Sequence, residues 1–167
     1  MTVQATATAT ALAPAAIGAR VVASIIDGAI LWIILSVLRG LVSDASIAAS
    51  FILALISAAV VFGYFSYFWT TLRASPGQRV LGLMTVNEAD ASALTWNGAT
   101  VRFAYLFGPI ILYSLISTSQ LGILSFLAAL VVIGYYVYLL YTAATDERKQ
   151  GFHDKHTGTL VAMRTAA

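Results

Sequence analysis

The sequence predicts an all-α membrane protein, a four-transmembrane-helix bundle with a small cytoplasmic β-hairpin or sheet. Three observations support this fold class. Of the 167 residues, 60 % are hydrophobic and 10 % are charged, whereas roughly a quarter of the residues of a soluble domain are charged. The apolar residues form uninterrupted runs of spanning length. The polar segments between these runs contain short β-favouring stretches.

The uninterrupted apolar runs define the spans. A span needs about 20 mainly apolar residues to cross a hydrocarbon core of roughly 30 Å. Three such runs lie at 21–38, 45–72 and 103–145, and Asp27 is the one acidic or basic side chain within them. The third run is too long for one helix and has a polar break at 117–120, which indicates a tight helical hairpin. We therefore predict four spans, at 20–40, 50–72, 103–118 and 122–142.

The basic residues predict the orientation of this bundle. Eight of the nine Lys and Arg residues fall on one side of the four spans, and Arg39 alone falls on the other. The positive-inside rule then places both termini in the cytoplasm, and we expect a multi-pass protein of the cell (inner or plasma) membrane. Residues 1–16 are Ala/Thr-rich without signal-peptide features, so we predict a disordered cytoplasmic tail before a membrane domain at 17–164. Aromatic residues at 67–69 and 138–141 suggest an interfacial belt.

The central loop, 73–102, is predicted to contain a β-hairpin. Residues 79–86 are apolar and β-favouring, a polar turn follows at 87–90, and 93–96 form a second short stretch. The C-terminal segment 158–163 is also strand-like. Because an isolated hairpin is only marginally stable, we expect these pieces to form a three-stranded cytoplasmic sheet. The alternative is an amphipathic helix at the membrane interface.

Asp27 is the most informative single residue. It follows Arg20 by seven positions, which places it about 10 Å into the hydrocarbon core. An unpaired carboxylate there costs several kcal/mol, so it must be protonated, paired or in contact with a wet cavity. Arg20 and Ser24 share its helix face. Asp27 is thus a functional candidate, or else a structural carboxylate that locks helices together. Its candidate partners are Arg102 and the hydroxyls of Tyr64, Tyr135 and Tyr138.

Several chemistries find little support in the sequence. The chain has no cysteine, which excludes disulfides and thiolate chemistry. His153, Asp154 and His156 have a spacing seen in metal sites, but no further ligand is evident and the segment favours a juxtamembrane turn. Nucleophile-elbow and phosphate-loop motifs are absent from the sequence. We expect no enzyme, no cofactor and no metal site, and a net charge of +2 gives no reason to expect nucleic acid.

Four segments carry a further pattern of polar residues and glycines. In chain order they are IGARVVASIIDGAI with Arg20 and Asp27, SPGQRVLGLMTV with Gly77, Arg79 and Gly82, LTWNGATVRF with Arg102, and TDERKQGFHDKHTGTLV with His153, Asp154, Gly158 and Thr159. Together they resemble the RDD family of small membrane proteins, named for one arginine and two aspartates. The resemblance extends from about Ile17 to Val161. It implies a polar network of Arg20, Asp27 and Asp154, which the other residues and Ser24 support.

The resemblance implies a limited range of functions. The family's molecular function is largely unresolved, with transport of unidentified ligands proposed and cation/proton exchange as one version. An intramembrane acid such as Asp27 suits a proton-coupled carrier. Four spans and a single deep carboxylate are little for a transporter, so a complete pathway would need a homo-oligomer or an inverted arrangement of repeats. Besides the bilayer, we expect a small ligand or ion as partner. The alternative is a non-transporting scaffold or assembly factor, in which the Arg and Asp residues only cross-link helices to the cytoplasmic sheet.

Overall fold

The computed structural model describes residues 12–40, 46–119 and 121–164. Within these residues, four helices are long and apolar enough to cross a membrane. The fold class predicted from the sequence is confirmed. The spanning helices are α1 (Ile17–Gly40), α2 (Ile47–Tyr67, continued by a π-helical turn, Phe68–Leu72), α4 (Trp96–Thr118) and α5 (Gly122–Thr145).

Four short elements lie at the end of the bundle where α1 begins and α2 ends. They are α3 (Pro76–Val80), β1 (Leu83–Asn87), α6 (Phe152–Thr157) and β2 (Thr159–Met163). The two strands are antiparallel, with Leu83 opposite Met163 and Asn87 opposite Thr159. The central loop and the C-terminal segment therefore meet at one end of the four helices.

The predicted three-stranded sheet is wrong, since the described residues form a sheet of two strands. The segment that begins at Arg79 is not a continuous strand because α3 already occupies 76–80. Ser75 caps α3 by accepting a hydrogen bond from the Gln78 amide, and the Gln78 side chain in turn accepts one from the Ser75 amide. The predicted strand at 93–96 is also absent, because Thr95 is the N-cap of α4. The alternative of an interfacial helix does not describe the loop either, because it contains β1.

The predicted disordered tail needs a similar correction in its described part, residues 12–16. The Ala15 amide donates to the Val161 carbonyl (2.9 Å), and the Met163 amide donates to the Ala13 carbonyl (2.9 Å). Ala15 is completely buried. These residues run along β2 because its outer edge offers unpaired backbone groups. Residues 1–11 lie outside the described part of the chain.

The interior of the bundle is aromatic, whereas its outer surface is apolar and exposed. Phe65 stacks on Phe107 with ring centroids 4.6 Å apart, and Trp69 packs beside Phe65. Trp32 lies in the middle of α1, away from the predicted aromatic belt, and points outward with 71 % of its surface exposed. Trp69 also departs from that belt, because it is buried. An exposed apolar surface on every spanning helix is the arrangement that lipid requires.

The first half of α1 is covered by protein on several sides. Ala23 packs with Leu83 and Val161 of the sheet, and Leu31 joins the aromatic interior. Arg20 and Asp27 therefore contact other elements of the protein, whereas Ser24 is exposed.

Candidate functional site

The three residues of the predicted network occupy two separate clusters. We define the Asp27 cluster as Asp27, Tyr64, Ser75 and Gly77. We define the Asp154 cluster as Asp154 with the side chains around it, namely Arg20, Arg102, His153 and Thr159. The structure brings Arg20 and Asp154 together but places Asp27 with a different set of donors.

In the Asp27 cluster, three hydrogen bonds satisfy a carboxylate that is only 2 % exposed. One oxygen accepts from the Tyr64 hydroxyl (2.9 Å) and from the Gly77 amide (2.8 Å), and the other accepts from the Ser75 hydroxyl. Hydrogen bonds of this number offset much of the cost of removing the charge from water. Of the predicted partners, Tyr64 is thus the observed one. The carboxylate ties α1 to α2 and to the start of α3.

Gly77 is required at this cluster by the close approach of two backbones. A Cβ atom at Gly77 would lie 2.2 Å from the Ala23 carbonyl oxygen and 2.9 Å from Cγ of Asp27. Because no side chain fits that space, the glycine lets the start of α3 touch α1 and lets its own amide reach Asp27.

In the Asp154 cluster, one completely buried carboxylate receives two arginines. Arg20 binds one oxygen at 3.1 Å, and Arg102 binds the other. Arg20 also donates to the Val161 carbonyl (2.9 Å), and Arg102 donates to the Thr159 hydroxyl. The cluster therefore joins α1, α4, α6 and β2 at the end of the bundle that carries the sheet.

The protonation states in this cluster follow from burial and from the two arginines. Burial alone would raise the pKa of Asp154, but Arg102, His153 and Arg20 outweigh it and lower the pKa to about 2. Burial lowers the pKa of His153 to about 4; nearby Asp154 opposes this effect, whereas Arg102 and Arg20 add to it. At neutral pH, Asp154 is ionised and His153 is neutral.

Within the cluster, positive charge therefore exceeds negative charge by one. Two guanidinium groups share one carboxylate, and the neutral imidazole of His153 adds no charge. Arg102 lies over the ring of Trp69, at 5.3 Å from its centroid. This cation–π contact stabilises the guanidinium without neutralising it.

The remaining predicted residues lie beside the two clusters or away from them. Gly82 and Gly158 adopt the left-handed conformation, with φ of 64° and 58°, where a side chain would be strained. The Ser24 hydroxyl donates to the Arg20 carbonyl (2.9 Å). Arg79 is exposed at the end of α3 and belongs to neither cluster. His156 packs on the ring of Phe152 (4.0 Å between centroids), so it does not join His153 in a shared site.

A cleft of about 450 Å³ opens between α1, α4 and α5, next to the Asp154 cluster. Arg20, Arg102, His153 and Trp69 contribute to its wall, and most of the remaining wall is apolar. Asp27 is not among the residues that line it. The Asp27 carboxylate instead contacts Tyr64, Ser75 and Gly77.

Comparison with models of protein families matches residues 14–158 to the model described as RDD family. The chain belongs to the RDD family. RDD proteins are membrane proteins, in agreement with the four apolar helices. Comparisons with curated proteins and with solved structures found no match.

Two residues of this RDD protein's site were not predicted from the sequence. Ser75 donates to Asp27, and its role as a helix cap was detectable from Pro76 one position later and Gln78 three positions later. Trp69 supports Arg102 from a position at the end of α2, where an aromatic residue usually indicates the membrane interface. Nothing in the sequence around Trp69 distinguishes these two roles.

Proposed function

We propose that this RDD protein transports a small ligand through the cleft or exchanges a cation for protons, with protonation of Asp27 as the coupling step. The observation that carries the proposal is the cleft of about 450 Å³ between three spanning helices. Small-molecule sites have volumes in this range, and they are mostly apolar with a few fixed polar groups. The wall fits this description, because apolar side chains surround Arg20 and Arg102.

The coupling step is supported by the position of Asp27 on α1, the helix that also forms one wall of the cleft. The carboxylate accepts hydrogen bonds from the Ser75 hydroxyl and the Gly77 amide. A proton on Asp27 would turn an acceptor site into a donor and weaken the attachment of α1 to α3. In cation/proton exchange, the cation would replace this proton. A homo-oligomer would supply the further walls that a complete pathway needs.

The test is proton movement in proteoliposomes that contain a pH-sensitive dye, after addition of Na⁺ or K⁺ outside. We expect the wild type to release internal protons and Asp27→Asn, which keeps the shape of the side chain, to lose this activity. Asp90→Asn is the matched control because Asp90 lies exposed in the loop, where it accepts from the Ser92 amide. Equal proton movement in a folded Asp27→Asn protein would remove Asp27 from the mechanism.

The second candidate function is a non-transporting scaffold or assembly factor. Both clusters favour it, because the donors to Asp27 and the two arginines that bind Asp154 come from other parts of the chain and hold elements together without any ligand. This function predicts no flux from the purified wild type. It also predicts that Asp27→Asn only lowers the thermal stability, and that a membrane partner co-purifies in stoichiometric amount.

We further propose that the protein lies in the cell membrane with both termini in the cytoplasm. The excess of basic residues on the side of the central loop supports this orientation. Because the chain has no cysteine, single cysteines can report sidedness in whole cells. A membrane-impermeant maleimide should label Ser119→Cys and leave Asp90→Cys unlabelled. The reverse labelling would contradict the orientation.

A further inference from the structure

Four residues in the wall of the cleft carry nitrogen atoms that are buried without a hydrogen-bond partner in the described part of the chain. These atoms are Nε of Arg20, Nε of Arg102, Nε1 of Trp69 and Nδ1 of His153. Arg102 and Trp69 are only 3 % and 2 % exposed. The two arginine Nε atoms and the indole Nε1 are donors, and buried donors without partners are rare in proteins, because each forfeits its hydrogen bonds to water.

The net positive charge of the Asp154 cluster indicates that the missing hydrogen-bond partner is an anion. Arg20 and Arg102 share Asp154 as their only carboxylate within 4.0 Å among the described residues, so one positive charge is left without a counter-charge. The burial of an uncompensated charge is costly, and a bound anion would remove that cost. Guanidinium and indole N–H groups are donors only, so they match the oxygens of a carboxylate or a phosphate. A cation would be repelled from the same position.

The apolar part of the cleft wall indicates that the ligand also has an apolar part. Val21 and Ile25 of α1 and Leu140 of α5 line the cleft and are 39 %, 64 % and 48 % exposed. These apolar side chains place the mouth of the cleft on the lipid-facing flank of the bundle. From Arg20 to Leu31, another lining residue, the helix rises about 16 Å, which is long enough to accompany an alkyl chain. A small inorganic anion would leave this apolar length unfilled.

We propose that the ligand of the cleft is an anionic amphiphile. Arg20 and Arg102 hold its carboxylate or phosphate head, Trp69 donates a further hydrogen bond, and its alkyl chain lies along the apolar wall between α1 and α5. This inference rests on the proposed function for its site, and it adds the class of substrate. An anionic ligand also explains the excess positive charge of the two arginines, which the scaffold function leaves unexplained.

Binding is tested on the full chain in nanodiscs of phosphatidylcholine, with the thermal unfolding temperature as the readout. The anionic probes are oleate and oleoyl lysophosphatidate. Monoolein has the same chain without a charge, and acetate and inorganic phosphate have the charge without a chain. We expect saturating oleate or oleoyl lysophosphatidate to raise the unfolding temperature by about 5 °C, and the other compounds to have no effect. A response to only one of the two anionic probes identifies the head group as carboxylate or phosphate.

Three results would overturn the proposal. An equal shift with monoolein would show that the arginines do not select the head group. An equal shift with acetate or phosphate would show that the alkyl chain does not contribute. No shift of the unfolding temperature with any probe would show that the cleft does not bind an anionic amphiphile.

A pair of glycine variants tests whether the probes bind in the cleft. Gly28 lines the cleft and Gly18 does not, and a Cβ atom would meet nothing within 4 Å at either position. Leucine favours a helix over glycine, so both variants should fold. We expect Gly28→Leu to weaken the binding of the responding probe at least about tenfold and Gly18→Leu to leave it unchanged. The same affinity in both variants would exclude the cleft as the site.

The outcome is separable from that of the proposed function, because binding is measured without flux. Selective binding without transport in proteoliposomes would leave the ligand class standing and would reject the carrier. Proton movement in proteoliposomes without binding of oleate or oleoyl lysophosphatidate would reject this inference alone.

Discussion

Arg20 and Asp154 form an ion pair of 3.1 Å across 134 positions of the chain. Arg20 lies in the first turn of α1, and Asp154 lies in α6 after the last span. The pair therefore closes the bundle, since it connects the first helix with the segment that carries β2. Arg102 binds the second oxygen of the same carboxylate, so three distant segments depend on Asp154.

Asp154→Asn is expected to destabilise the protein strongly. The change leaves both arginines buried without a counter-charge, and the loss of one partner from a buried ion pair typically costs about 3–5 kcal/mol. Thermal unfolding in detergent or nanodiscs measures the effect. Asp90→Asn is the control, because Asp90 is exposed and its loss should cost only about 0.5 kcal/mol. Equal unfolding temperatures for the two variants would contradict a structural role for the Asp154 cluster.

His153 predicts a dependence of stability on pH. Burial lowers its pKa from 6.5 to about 4 in the folded protein, so the unfolded chain binds more protons between these values. Stability is then complete above about pH 6.5 and falls by roughly 3 kcal/mol as the pH decreases to 4. His153→Gln should remove most of this decrease, whereas the exposed His156 can be changed to Gln without effect. An unchanged pH profile in His153→Gln would contradict the neutral, buried imidazole.

Gly77→Ala should separate α1 from α3. The added Cβ would lie 2.2 Å from the Ala23 carbonyl oxygen, and helix backbone cannot yield as a flexible side chain does. We expect a loss of about 1–3 kcal/mol, typical of overpacking, together with weaker binding of the Gly77 amide to Asp27. Gly63→Ala is the control, because a Cβ atom there meets nothing within 4 Å. If both variants unfold at the same temperature, the close approach at Gly77 is not important for stability.

The spans were predictable because lipid imposes a simple rule on sequence. Apolar runs of sufficient length must be helices, and one charged side chain within them must have a partner. The choice of partner was not predictable in the same way. Tyr64, Tyr135 and Tyr138 carry the same hydroxyl donor, so the sequence does not distinguish them as partners of Asp27. Only the packing of α2 against α1 brings the Tyr64 hydroxyl to Asp27.

The central loop was mispredicted because tertiary and capping interactions outweigh local strand propensity. Residues 79–86 favour a strand by composition, yet Ser75 and Gln78 start a helix that ends only at Val80. The chain can form a strand only after Gly82 turns it.

The separation of the predicted network into two clusters has a similar origin. Arg20 and Asp27 share a helix face, but the elements that meet each of them come from remote parts of the sequence.

Tyr64→Phe isolates the hydrogen bond that the packing of α2 provides. The change removes one hydroxyl that donates to the Asp27 carboxylate at 2.9 Å and leaves the ring in place between Phe65 and Phe68. A hydrogen bond to a charged group contributes about 1.5–3 kcal/mol, so the unfolding temperature should fall. Tyr67→Phe is the matched control, since Tyr67 is 52 % exposed on the same helix. In the flux assay, Tyr64→Phe should also change the rate of proton movement, because the carboxylate proposed to carry the proton loses one of its three hydrogen-bond donors. A lower unfolding temperature with an unchanged rate of proton movement would mean that Asp27 holds helices together and does not carry the proton.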